Sequence, residues 1–358
     1  MSSLFARTTR RITLAHIRHV PRIPPSGATG VVTRVYQQVE HDFGLLAPPV
    51  ALHAPAPDHL AAAWAILRET LVVEGEVGRA AKEIVAAAVS LANSCPYCVD
   101  VHGATLAGLT EGADAGHVMA DRIEAIADPS LRELAGWARA SGLVRSMQPV
   151  SAPFPRSHAP ELLGVAVAFH YYNRMVNVFL QDSPLPPVRG RAREVARGVA
   201  ARMMGRLARV PALPGASVDL LPAAPLPTDL RWAAGQPHVA AAMSRAATVF
   251  EAGGRRTVPA GVRRLVTDLL PAGAPSLTGG ALWLDDAVSR LPEEERPTGR
   301  LALSVALAAY RVTDAVVDAA GADVSGASLI ELASWASFTA ARRAGALLGE
   351  EFSTTSDS

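Results

Sequence analysis

Alanine, leucine and valine recur at helical spacing along almost the whole chain, while alternating β-branched runs bounded by turn residues are scarce. A chain so patterned has little choice but to fold as all-α. After the Pro-rich stretch LLAPPVALHAPAPDH, the spacing predicts helices near 58–74, 78–93, 96–110, 114–126, 130–142, 160–180 and 190–208. Pro and Gly clusters separate them, and RVPALPGASVDLLPAAPLPTD (210–229) reads as a linker. Further helices are predicted near 230–252, 258–270, 278–290, 297–320 and 327–349, followed by a polar tail over 351–358.

With 358 residues, 49% of them hydrophobic, the chain can bury one large core or two ordinary ones. Its halves look like diverged copies: DHLAAAWAILRETLVVEGEVGRAAKEIV (58–85) is echoed by PHVAAAMSRAATVFEAGGRRTVPAGVRRLV (237–266), with His59 matching His238. Two registers compete further on. One sets 316–326 on 98–108; the other, preferred because it keeps the helix order, sets 301–317 on 162–178. The expected organisation is an N-terminal arm over 1–29, a first repeat over 30–209, the linker, and a second repeat over 230–350 that lacks cysteines.

The formal charge of +1, with both signs interspersed, gives no basic face for nucleic acid and no polybasic run for a membrane surface. The most apolar stretch, ELLGVAVAFHYYNRMVNVFL, carries Glu161, His170, Asn173, Arg174 and Asn177, so it is not expected to span a membrane. The N-terminal segment holds a twin arginine, but His16, Arg18 and His19 interrupt any secretory apolar core, and a mobile arm in the cytoplasm is expected. Lys82 is the only lysine; arginine supplies all other cationic side chains, a composition bias that predicts nothing about function.

The chemistry concentrates in NSCPYCVDVHG (93–103), which holds both cysteines of the chain. Pro96 suits the first position of a helix that Ser94 or Cys95 can cap. At ~100° per residue, Cys95, Cys98 and His102 fall within an arc of about 60° on one helix face. Cys95 sits where the helix dipole favours a thiolate, and Cys98 sits where His102 can accept its proton. A metal site would need a fourth ligand that is not nearby, and covalent haem would need histidine where Val99 stands. Two inert buried thiols are a third alternative. A redox dithiol, with no cofactor and no metal, fits best. Upstream, Glu83 is the only acid on an otherwise apolar helix; ~16 Å back from the chain reversal at Asn93–Ser94, it can meet His102 if the helices cross at a moderate angle. Such a carboxylate would orient the imidazole and raise its basicity.

Glu83, eleven residues, Cys95, two residues, Cys98, three residues, His102: this spacing resembles the active-site motif of the AhpD-like alkylhydroperoxidases in the carboxymuconolactone decarboxylase superfamily. The resemblance covers about residues 30–205 and implies an all-α fold whose cysteine pair reduces hydroperoxides. It assigns peroxide attack to Cys98, resolution to Cys95 and a proton relay to Glu83 and His102. It implies re-reduction by a dithiol partner, a lipoylated or thioredoxin-like protein, and assembly as a homo-oligomer. One departure is visible: Tyr97 stands where the best-known members carry a histidine beside the second cysteine. The two lines of reasoning differ over the thiols, since helix-end electrostatics alone favour Cys95 as the more acidic. A dithiol–disulfide oxidoreductase and a redox-sensing scaffold are the rival functions. On the helix AFHYYNRMVNVF, His170, Tyr171, Asn173 and Arg174 read as core and helix-end residues, as Asp100, His117 and Asp285–Asp286 read as solvated or capping ones.

Overall fold

The structure, a computed structural model, describes residue 10 and residues 13–143, 151–181, 191–270, 282–321 and 324–353. Its helices are α1 (Gly30–Phe43), α2 (Pro57–Leu67), α3 (Arg79–Ala92), α4 (Pro96–Leu109), α5 (Asp114–Met119), α6 (Pro129–Ala140), α7 (Ala159–Phe179) and α8 (Arg191–Leu207) in the first half. The second half adds α9 (Pro237–Thr257), α10 (Ala260–Leu269), α11 (Leu282–Ser289), α12 (Arg296–Ala308), α13 (Asp314–Gly321) and α14 (Gly326–Leu348). Among the described residues there is no strand, only an isolated bridge between Ile17 and Leu180. The fold is all-α.

The molecule is built around α7. Every residue of α7 except Arg174 and Asn177 is buried, so the helix is surrounded by others and carries Glu161, His170 and Asn173 into the interior. It packs against α3 on one flank and α14 on the other, while α2 packs against α9. The two halves therefore share one continuous core. Inside it the lone lysine, Lys82 of α3, reaches Glu161 of α7 at 2.5 Å and donates to the carbonyl of Val73 at 3.0 Å. Glu161 also accepts from the backbone of Glu76 at 2.8 Å. Two elements far apart in sequence are fixed by one buried, hydrogen-bonded ion pair.

The helix order α2, α3–α4 hairpin, α7 in the first half returns as α9, α12–α13 hairpin, α14 in the second, with α12 against α14 as α3 is against α7. This order fits two diverged repeats. Residues 162–178 lie in one unbroken helix, whereas 301–317 cross the end of α12, a 3-10 turn (Ala309–Arg311) and the start of α13. The register preferred from sequence thus sets an unbroken helix against a broken one.

Four other expectations change. Residues 30–43 form a helix that was not foreseen, burying Val32, Val35, Tyr36 and Val39. The expected helix near 230–252 is a 3-10 segment (Thr228–Gly235) followed by α9, which restarts with Pro237 at its first position. The described part of the N-terminal segment is packed rather than mobile: Arg18 donates its backbone N–H to Phe179, Gln181 donates to His16, and Ile17 is buried. The 210–229 segment is likewise strapped down, because the buried Glu69 accepts from the Gly215 backbone and the Ser217 hydroxyl at 2.8 and 2.6 Å. Residues 354–358 of the polar tail lie outside the described residues. No helix among the described residues is long and apolar enough to cross a membrane.

Candidate active site

The α3–α4 hairpin reverses through Asn93, Ser94 and Cys95. Ser94 sits in the left-handed region at φ 51°, a conformation that a non-glycine residue adopts only where its surroundings enforce it. A buried polar network supplies that enforcement. Asn93 donates to Asn173 and lies within 3.0 Å of His170; Arg174 donates to the Asn93 side chain at 3.1 Å, and Asn177 donates to its carbonyl at 3.2 Å. Asn173 in turn donates to Ser90 at 2.9 Å, and Ser141 meets the far nitrogen of His170 at 2.9 Å. Burial, with Arg174 adding to it, holds His170 well below the ordinary histidine range, so it serves here as a neutral imidazole. The residues read from sequence as core or helix-end groups thus form the brace that shapes the turn.

That turn delivers Cys95 as the N-cap of α4, with Pro96 in the first helical position as expected. Both thiols are free, and both are nearly inaccessible, 1% exposed for Cys95 and 4% for Cys98. Their surroundings differ. Cys98 and His102 lie on the wall of a cavity of about 300 Å³, whose other lining includes Leu45, Leu67, Val101, Phe169 and Met203; Cys95 is not part of that wall. Burial pushes the Cys95 thiol well above its ordinary value, its contact with Cys98 adds to this, and a hydrogen bond with Asn173 only partly opposes it. Burial thus opposes the helix-end electrostatics that favour a Cys95 thiolate.

Glu83 and His102 meet directly. The Glu83 Oε2 lies 2.7 Å from His102 Nδ1, and its Oε1 accepts from Arg79 Nε at 2.8 Å. Burial works to raise the Glu83 carboxyl, but Arg79 and His102 outweigh it and hold the group below the usual carboxylate range. Glu83 is therefore an acceptor on both oxygens, which makes His102 Nδ1 the protonated nitrogen and leaves Nε2 with its lone pair. Phe169 of α7 packs edge-on against the ring, centroids 4.4 Å apart, and fixes its plane. Arg79 was not foreseen, although its four-residue spacing to Glu83 on a helix is a readable signal.

Three further features escaped the sequence. Thr13 and His16 of the N-terminal segment close one side of the cavity, and the His16 ring meets Tyr97 edge-on at 6.3 Å. Tyr97, in the place of the family histidine, is buried and its phenol is pushed up by that burial and by the neighbouring thiols, so it keeps its proton. Asp100, read as solvated, is instead on the cavity wall and paired with Arg197 of α8 at 3.4 Å. Among the described residues no group of three or more His, Cys, Asp or Glu side chains is placed to hold a metal ion.

Residues 58–140, the span from α2 to α6 that contains all four motif residues, match the family model described as the carboxymuconolactone decarboxylase family. An alkyl hydroperoxide reductase of Mycobacterium tuberculosis is 34% identical over 336 residues, covering 93% of this chain and 95% of its own. Among solved structures, the alkylhydroperoxidase AhpD core of a peroxidase-related protein from Ralstonia eutropha is 21% identical with a TM-score of 0.39, covering 55% of this chain and 98% of that one.

Proposed function

The chain belongs to the carboxymuconolactone decarboxylase family as an AhpD-like alkylhydroperoxidase-type enzyme, and from that membership we propose that it reduces organic hydroperoxides through a dithiol cycle of Cys98 and Cys95. The observation that carries this reading is the asymmetry of the thiols: Cys98 shares the cavity wall with His102, whereas Cys95 lies behind it and holds its proton.

His102 Nε2 takes the Cys98 proton, four residues back on the same helix, and Glu83 stabilises the imidazolium that results. The thiolate attacks the outer oxygen of the hydroperoxide, the O–O bond breaks, and the alkoxide recovers the proton from His102 to leave as an alcohol. Cys98 is then a sulfenic acid. The Cys95 thiol attacks that sulfur, expelling water and closing the disulfide. A dithiol must reopen it, and cysteines as buried as Cys95 and Cys98 admit only a slender carrier. This favours a lipoyl arm over the broad face of a thioredoxin-like protein. The cavity, lined chiefly by aliphatic and aromatic side chains, favours a hydroperoxide with an apolar tail over hydrogen peroxide.

The test treats Cys95→Ser and Cys98→Ser proteins with cumene hydroperoxide and a sulfenic-acid trap, and locates the adduct by mass spectrometry. Cys95→Ser should accumulate trapped sulfenate on Cys98, and Cys98→Ser should trap little. The opposite pattern would give the peroxidatic role to Cys95.

A further inference from the structure

Among the buried side-chain nitrogen and oxygen atoms that lack a hydrogen-bond partner among the described residues, His16 Nδ1, Tyr172 Oη and Arg197 Nε belong to residues that line the Cys98 cavity. Buried polar groups are nearly always satisfied, and each that is not costs the protein its desolvation. That three such residues line one largely apolar cavity marks it as a place where something polar binds. Tyr172 is the most informative of the three, being only 2% exposed. The polar group beside it is already committed: His53, whose ring touches Tyr172 at 6.1 Å, gives its Nε2 to Tyr171 at 2.7 Å and its Nδ1 to the Val50 carbonyl. The Tyr172 hydroxyl is thus left without a partner on its own side of the core.

Its position along α7 gives it a purpose. Tyr172 lies three residues, about 4.5 Å of helix rise, beyond Phe169, on the same face. Phe169 is the residue whose edge rests on the His102 ring. Cys98, His102, Phe169 and Tyr172 all line the same cavity, so a hydroperoxide bound at Cys98 shares that space with the face of α7 that carries Tyr172. We propose that Tyr172 is a catalytic residue whose hydroxyl donates a hydrogen bond to the hydroperoxide oxygen that departs as alkoxide. In the step, the Cys98 sulfur forms a bond to the outer oxygen and is oxidised to sulfenic acid. The O–O bond breaks, and the inner oxygen takes up the electron pair. Tyr172 stabilises that developing charge, and His102 returns the proton that makes the alcohol. Burial, reinforced by Tyr171, pushes the Tyr172 phenol well above its ordinary value, so it acts as a donor that is not consumed.

The proposal rests on the peroxidase reading of the same cavity, and Tyr172→Phe separates the two. This substitution removes one oxygen and preserves the ring. Three quantities are measured on wild type and variant: the single-turnover rate of thiol oxidation by cumene hydroperoxide, the rate of disulfide reduction by dithiothreitol, and the melting temperature. The oxidation rate should fall about 100-fold, the size expected when a donor to a developing oxyanion is lost. Disulfide reduction should be unchanged, since no alkoxide forms in it, and the melting temperature should hold or rise because an unsatisfied hydroxyl has gone. An unchanged oxidation rate overturns the proposal, as does a clear drop in melting temperature or loss of fold, which would mean that the hydroxyl holds the structure together. If wild type itself consumes no hydroperoxide, the peroxidase reading fails, whatever the variant does.

Discussion

Replacing Glu83 with Gln changes one charge and almost no volume, in a site where both oxygens are already used. The wild-type carboxylate accepts from His102 Nδ1 at 2.7 Å and from Arg79 Nε at 2.8 Å. An amide offers one acceptor and one donor, so in the variant its nitrogen must face one of two donors. The imidazolium formed as Cys98 ionises loses a counter-charge about 4 Å away, worth roughly 4 kcal/mol at an effective dielectric constant of about 20. The remaining hydrogen bond returns about 1 kcal/mol of that. A net loss near 3 kcal/mol slows thiolate formation, and with it peroxide reduction, by about 100-fold. Arg79 is partly solvated and can rehydrate, so the fold should survive with a lower melting temperature. Stopped-flow oxidation of the pre-reduced variant by cumene hydroperoxide reads the rate, and circular dichroism confirms the helices. A Glu83→Gln protein with the wild-type rate at neutral pH would refute the relay.

Gly108 of α4 and Gly205 of α8 meet backbone to backbone: a Cβ on Gly108 would lie 2.1 Å from the Ala201 carbonyl oxygen and 2.8 Å from the Gly205 Cα. Gly108→Ala must part the two helices, costing about 1–3 kcal/mol, and because α8 brings Ala200, Met203 and Met204 to the cavity, KM for organic hydroperoxides should rise. An unchanged KM and melting temperature would show that the helices tolerate the separation. Acid should also unfold the protein early. Burial depresses His53 to about 4, and burial followed by His53 and Arg256 depresses His59 to about 3. Both folded values lie below the unfolded value of about 6.5, so the unfolded chain binds more protons and stability falls as pH drops from about 6.5 toward 4, by roughly 3 kcal/mol for His53 alone. Urea midpoints at pH 7.0, 5.5 and 4.5 check this, and a midpoint independent of pH would contradict it.

The motif was legible because its residues are local in sequence: Cys95, Cys98 and His102 share one helix, and Glu83 lies on the helix before it. Helical geometry alone foretells that they can meet. What escaped was non-local or silent in residue type. His16 reaches the cavity because the backbone at 16–18 hydrogen-bonds to Phe179 and Gln181, a pairing that no pattern within the N-terminal segment announces. Tyr172 looks like one more aromatic on an apolar helix, and only its missing partner distinguishes it. The break between α12 and α13 carries no Pro or Gly; Ala308 leaves the helix at φ −155°, and for that reason 297–320 read as one helix. Helix α1 was readable, since Val32, Val35, Tyr36 and Val39 recur on one face.

The burial of Lys82 has a chemical consequence for the molecule as a whole. Its ammonium is held between Glu161 and the Val73 carbonyl, and no other lysine exists in the sequence. The folded surface therefore presents no ε-amine. Succinimidyl esters, aldehydes and ubiquitin-type conjugation find no side-chain target until the core opens, so amine labelling at Lys82 becomes a direct count of unfolded molecules.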